Sequence, residues 1–93
     1  MINFIIYEDD KNIRDQYISI IIKLMGDRSD CYSIIEVDTY DKNAKKALSI
    51  PGKTIYILDV EVPGKSGLDL AREIRNGGDW ESPMMIITTH EQL

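Results

Sequence analysis

The stretch Ile55-Tyr56-Ile57-Leu58-Asp59-Val60-Glu61-Val62-Pro63-Gly64-Lys65-Ser66-Gly67-Leu68 decides the fold. Four apolar residues stop at an aspartate, and a turn holding Pro63, Gly64 and Gly67 follows. A run that short, rich in isoleucine and tyrosine, reads as a strand covered on both faces. From Leu68 to Arg75 the period changes: Leu70, Ala71 and Ile74 share one helical face, and Asn76-Gly77-Gly78 ends the helix. The unit is strand, turn, helix, with a carboxylate at the carboxyl end of the strand.

The same unit opens the chain. Phe4-Ile5-Ile6-Tyr7 runs into Glu8-Asp9-Asp10, and a helical period carries Ile13, Tyr17, Ile20 or Ile21, and Leu24 toward Met25. Asp10 suits the N-cap and Gly26 the stop. Tyr32–Val37 reads as a second strand, and Asp41–Leu48 as a short helix burying Ala44, Ala47 and Leu48, with Lys42, Lys45 and Lys46 solvated. Pro51-Gly52 breaks that helix, and Met84–Ile87 makes a fourth strand that leads into Thr88-Thr89-His90. Strands alternating with helices imply a parallel sheet with right-handed crossovers and helices on both faces.

Ninety-three residues, 43% of them apolar, make one small globular domain over 1–93. Eleven Lys and Arg against 16 Asp and Glu leave a net charge of −5, which argues against a nucleic-acid-binding face. No apolar run approaches the roughly 18 residues of a membrane helix, and the N-terminus lacks the basic start of a signal peptide. The lone Cys31 builds no internal disulfide. A cytoplasmic protein that touches no membrane is expected. Cys31 is expected at a strand edge, His90 in a surface loop, and Trp80 packed over the loop before the fourth strand.

Glu8-Asp9-Asp10, Asp59 and Thr88-Thr89 all fall at carboxyl ends of strands, where open parallel sheets bind ligands. Taken alone, an acidic triplet there is what a helix N-terminus favours. If the first and third strands are neighbours, their ends lie about 4.8 Å apart and Glu8, Asp9 and Asp59 converge. Two like charges about 4 Å apart repel by roughly 4 kcal/mol at an effective dielectric of 20. A cation relieves that cost, and an all-oxygen set with room for water suits Mg²⁺.

In these three segments the chain resembles the receiver domain of two-component response regulators. The resemblance implies a flavodoxin-like α/β fold with strand order 2-1-3-4 and helices on both faces. It makes Asp59 the phosphoacceptor for a sensor histidine kinase, and the domain a signalling module that assists its own phosphotransfer, not an enzyme. Mg²⁺ would be held by Asp9 directly, Glu8 through water, Asp59, and the backbone carbonyl of Glu61. Thr88 would be the switch residue, and Thr89 the small neighbour that narrows access to the phosphate. The ending Thr88-Thr89-His90-Glu91-Gln92-Leu93 resembles receivers that precede LytTR-type transcription regulators, so DNA would be met only through an output domain outside these residues. The family's lysine at the end of a fifth strand lies beyond the chain, which reads as a receiver incomplete at its C-terminus, and Lys65 sits on a different loop. With no fifth strand, the apolar fourth strand would be an open edge, so self-association, or completion by a longer chain, is expected.

Other classes fit less well. Gly64-Lys65-Ser66 imitates the end of a phosphate-binding loop, but Asp59 stands where its first glycine belongs. Asp59-Val60-Glu61 approaches the motif of haloacid-dehalogenase-type phosphohydrolases, with Glu in place of the second Asp and no task for Glu8-Asp9. A pseudo-receiver, binding partners without phosphorylation, is the third alternative.

Overall fold

The computed structural model describes residues 1–88. Seven elements follow in the expected order: β1 (Ile2–Tyr7), α1 (Lys11–Met25), β2 (Tyr32–Val37), α2 (Lys42–Ala47), β3 (Lys53–Asp59), α3 (Gly67–Asn76) and β4 (Met84–Ile87). All pairs are parallel and the sheet order is β2-β1-β3-β4. The first and third strands begin two residues earlier than their apolar runs, because Ile2 and Lys53 already pair across the sheet. The ending 89–93, with Thr89, His90 and the LytTR-like signature, lies outside the described residues.

Alternation along the strands divides the core between the two sheet faces. Ile5, Tyr7, Val37, Tyr56, Leu58 and Leu70 gather on the side of α2 and α3. Ile6, Ile57 and Ile21, flanked by Phe4, Tyr17, Ile18 and Met25, gather on the side of α1. Each fully buried aliphatic side chain stabilises the fold by about 1.5–3 kcal/mol.

Side-chain oxygens start all three helices. Asp10 Oδ1 accepts from the Asn12 and Ile13 N–H groups, Asp41 Oδ1 from Ala44 N–H, and Ser66 Oγ from Asp69 N–H. Gly26, at φ 56°, closes α1 as its sequence position suggested.

Two expectations are corrected. The buried face of α1 runs through Tyr17, Ile18, Ile21 and Met25, while Ile20 and Leu24 are exposed. Residues 17–25 are apolar at most positions, so two stripes fit the helical period, and the position of the sheet selects one. Trp80 stands 72% exposed instead of packing over its loop. Asp79 explains this: its carboxylate accepts from Glu81 N–H, Ser82 N–H and the Ser82 hydroxyl, fixing a tight turn. That turn carries Trp80 out beside Leu68, Ala71 and Met84, over an open hollow of about 510 Å³.

Candidate functional site

Strand register builds the site. Tyr7 pairs with Val37 on one side and Leu58 on the other, and Glu8 N–H extends the ladder to Val37 O at 3.1 Å. Asp59 pairs with Ile87, and Val60 N–H reaches Ile87 O at 2.9 Å. Glu8, Asp59 and Thr88 therefore stand in a row at the carboxyl ends of β1, β3 and β4.

Glu8 and Asp59 are buried, at 1% and 2% exposure, whereas Asp9 is open to solvent. One carboxylate oxygen from each of the three lies within 4.8 Å of the others. Glu8 Oε2 accepts from Asp10 N–H at 3.2 Å, and Glu8 Oε1 is buried with no donor among the described residues. Burial pushes the Glu8 carboxyl up to about 7; the Asp10 N–H opposes this, and the carboxylates of Asp9 and Asp59 add to it. Burial raises the Tyr17 phenol too, reinforced by the charges of Glu8 and Asp59, so this helix residue faces the same corner. Its place in the apolar stripe gave no hint of that.

Asp59 Oδ1 accepts from Glu61 N–H at 3.3 Å, which sets the start of the β3–α3 turn. The Glu61 side chain is exposed and lies outside the carboxylate group. Gly64 adopts φ 90°, a region costly to residues with a Cβ. Gly67 is needed for a different reason: a Cβ there would stand 2.3 Å from the Asp59 carbonyl oxygen. The N-terminus of α3 therefore backs directly onto the main chain of Asp59.

Lys65 is engaged elsewhere. Its Nζ pairs with Glu73 at 2.7 Å and lies 4.4 Å from the centre of the Tyr40 ring, and its carbonyl accepts from the buried Tyr7 hydroxyl at 2.6 Å. Sequence reasoning also passed over Arg14, whose Nη1 donates to the Glu8 carbonyl at 2.9 Å and whose Nε donates to Glu36 at 3.1 Å. A basic residue on the helix that follows an acidic triplet was the available signal. Thr88 is exposed, one residue past β4.

The donor set tests the expected metal. Three carboxylates, one with a buried oxygen that meets no donor among the described residues, and an open side at Asp9 fit a hard divalent cation that keeps part of its water. Among the described residues, no helix is long and apolar enough to cross a membrane.

A parallel 2-1-3-4 sheet with helices on both faces is a flavodoxin-like fold, here with an acidic corner at its strand ends. No family model and no curated protein matches the chain. Solved structures do. A mutant MaeR response regulator bound to sulfate matches with TM-score 0.76 and 21% identity, over 97% of this chain and 69% of that one. MaeR bound to beryllium trifluoride matches with TM-score 0.72 and 21% identity, over 99% and 70%. The response regulator StyR follows with TM-score 0.67 and 19% identity, over 99% of this chain and 42% of its own. At such identity the likeness establishes the fold.

Proposed function

We propose that residues 1–93 are a phosphoacceptor receiver domain of a two-component response regulator, acting in the cytoplasm on a phosphoryl group from a sensor histidine kinase. The observation that carries this reading is the convergence of Glu8, Asp9 and Asp59 within 4.8 Å, two of them buried. Two solved structures of like fold carry groups close in size to a phosphoryl group: a MaeR mutant is bound to sulfate, and MaeR is bound to beryllium trifluoride. A haloacid-dehalogenase-type site would use the second acid of Asp59-Val60-Glu61, and the Glu61 carboxylate stands outside the cluster.

In this reading an Asp59 carboxylate oxygen attacks the phosphorus of a phosphohistidine. The P–O bond forms as the P–N bond breaks, and the imidazole leaves neutral, keeping the proton that the phosphorylated ring already carries on its other nitrogen. Glu8, Asp9, Asp59 and the Glu61 carbonyl would hold Mg²⁺, which would supply positive charge against the negative charge of the phosphoryl group. Glu61 N–H holds Asp59 Oδ1, and Gly67 lets the turn close behind it. The Thr88 hydroxyl, at the end of the neighbouring strand, donates to a phosphoryl oxygen and draws its loop inward. Transcription regulation would follow through an output domain, which alone would meet DNA.

Intact-mass analysis after incubation with acetyl phosphate and Mg²⁺ tests the reading. One added phosphoryl group is expected, absent in Asp59→Asn. The same modification in that variant would refute the assignment.

A further inference from the structure

Past the last ladder bond of β1, three residues cross to α1, and two of them carry site carboxylates. The peptide joining Glu8 to Asp9 therefore aims both acids at once. Its carbonyl is held by Arg14 Nη1 at 2.9 Å, while Arg14 Nε meets Glu36 Oε1 at 3.1 Å. Arg14 itself is fixed in the first turn of α1, its N–H donating to Asp10 O at 3.0 Å. Its side chain is 11% exposed. Glu36 stands in β2, paired across the sheet with Ile6. One planar guanidinium thus links the start of α1, the end of β1 and β2 through donors on two different nitrogens.

We propose that Arg14 is a positioning residue for the acidic corner. Its fork, slung between the Glu8 carbonyl and the Glu36 carboxylate, orients the Glu8–Asp9 peptide so that both side chains present oxygens to one divalent cation. This rests on the metal reading above. A lysine keeps the charge but, as a single flexible ammonium, does not hold two acceptors in a fixed plane. Partners that orient metal ligands change metal affinity by about 10–100-fold when removed.

The test is an amide-resolved NMR titration of the 93-residue chain with MgCl₂, starting metal-free. Arg14→Lys is expected to raise the Mg²⁺ Kd about tenfold. Glu36→Gln, which leaves the arginine but removes its charged anchor, should raise it a few-fold. In the Arg14→Lys background Glu36→Gln should add nothing, since both act through one link. A role confined to holding the fold would lower the melting temperature and leave the Kd of the folded chain unchanged. An unchanged Kd in Arg14→Lys overturns the proposal while the metal site stands. If Arg14→Lys does not fold, Glu36→Gln decides by the same criterion. If the parent binds no Mg²⁺, or binds it undiminished in Asp9→Asn, the metal reading falls and the positioning role falls with it.

Discussion

Replacing Glu8 by glutamine keeps the side chain's size and its acceptor for Asp10 N–H while removing the charge. In the metal-free folded chain the Glu8 carboxyl sits at about 7 against an ordinary 4.5, so folding favours its protonated form. Below pH 4.5 the acid is neutral in both folded and unfolded states and its contribution to stability is complete. That contribution is lost as pH rises through 7, where the folded chain must carry a buried carboxylate beside Asp9 and Asp59. At about 1.4 kcal/mol per pH unit, the span from 4.5 to about 7 amounts to about 3 kcal/mol. Glutamine escapes this loss, and its amide donates to the neighbouring carboxylates. Urea melts in EDTA should therefore find Glu8→Gln more stable than the parent by about 3 kcal/mol at pH 8, with the gap mostly closed at pH 5. Comparing the two proteins at each pH cancels the other titrating groups. Mg²⁺ at ten times its Kd should return about 1.4 kcal/mol to the parent at pH 8, narrowing the gap. A variant no more stable than the parent at pH 8 would refute the account of Glu8 as a strained, buried acid.

Mg²⁺ should shift amides around Asp59 with a submillimolar to millimolar Kd, and replacing both Glu8 and Asp9 by alanine should abolish the response; a persistent response would move the site. Gly67→Ala should prevent or severely weaken folding, because the new Cβ meets main-chain atoms of Asp59 at 2.3 and 2.7 Å; a thermal melt matching the parent would contradict that packing. Leu70→Ala, at a fully buried core position, should cost about 2–5 kcal/mol in a denaturant melt. The apolar edge at β4, with Met85 57% and Ile86 41% exposed, should make the purified chain self-associate in sedimentation experiments, and Met85→Lys should restore monomers. A parent that sediments as a monomer at high concentration would show the edge is protected.

Strand centres, helix types and the row of acids were legible because each rests on a local signal: an apolar run, a 3.6-residue period, a carboxylate at the end of a strand. Asp59 and Glu8 could be paired because strand ends in a parallel sheet share one edge. What escaped depends on contacts between segments far apart in sequence. Ile20 and Ile21 are equivalent by period, and only the position of the sheet buries one. Trp80 is turned outward by an Asp79 turn whose geometry no periodicity encodes. Arg14 meets Glu36 across 22 residues, and Tyr7 meets Lys65 across 58, so neither link has a local signature. Gly67 was readable as a turn glycine, but its reason differs: not freedom of φ but the lack of room beside Asp59.

That lack of room has a mechanical meaning. Side chains usually form a compliant layer between a helix and the strand it covers, absorbing small shifts by changing rotamer. At Gly67 there is no such layer, and main chain bears on main chain. Close-packed atoms compress little, so a displacement of the Asp59 backbone passes into the first turn of α3 without being damped. The helix is then seated like a rod on the acidic corner, and any shift of the Asp59 main chain would be carried to its outer surface, where Leu68 is 44% exposed and Arg72 stands beside the Trp80 hollow.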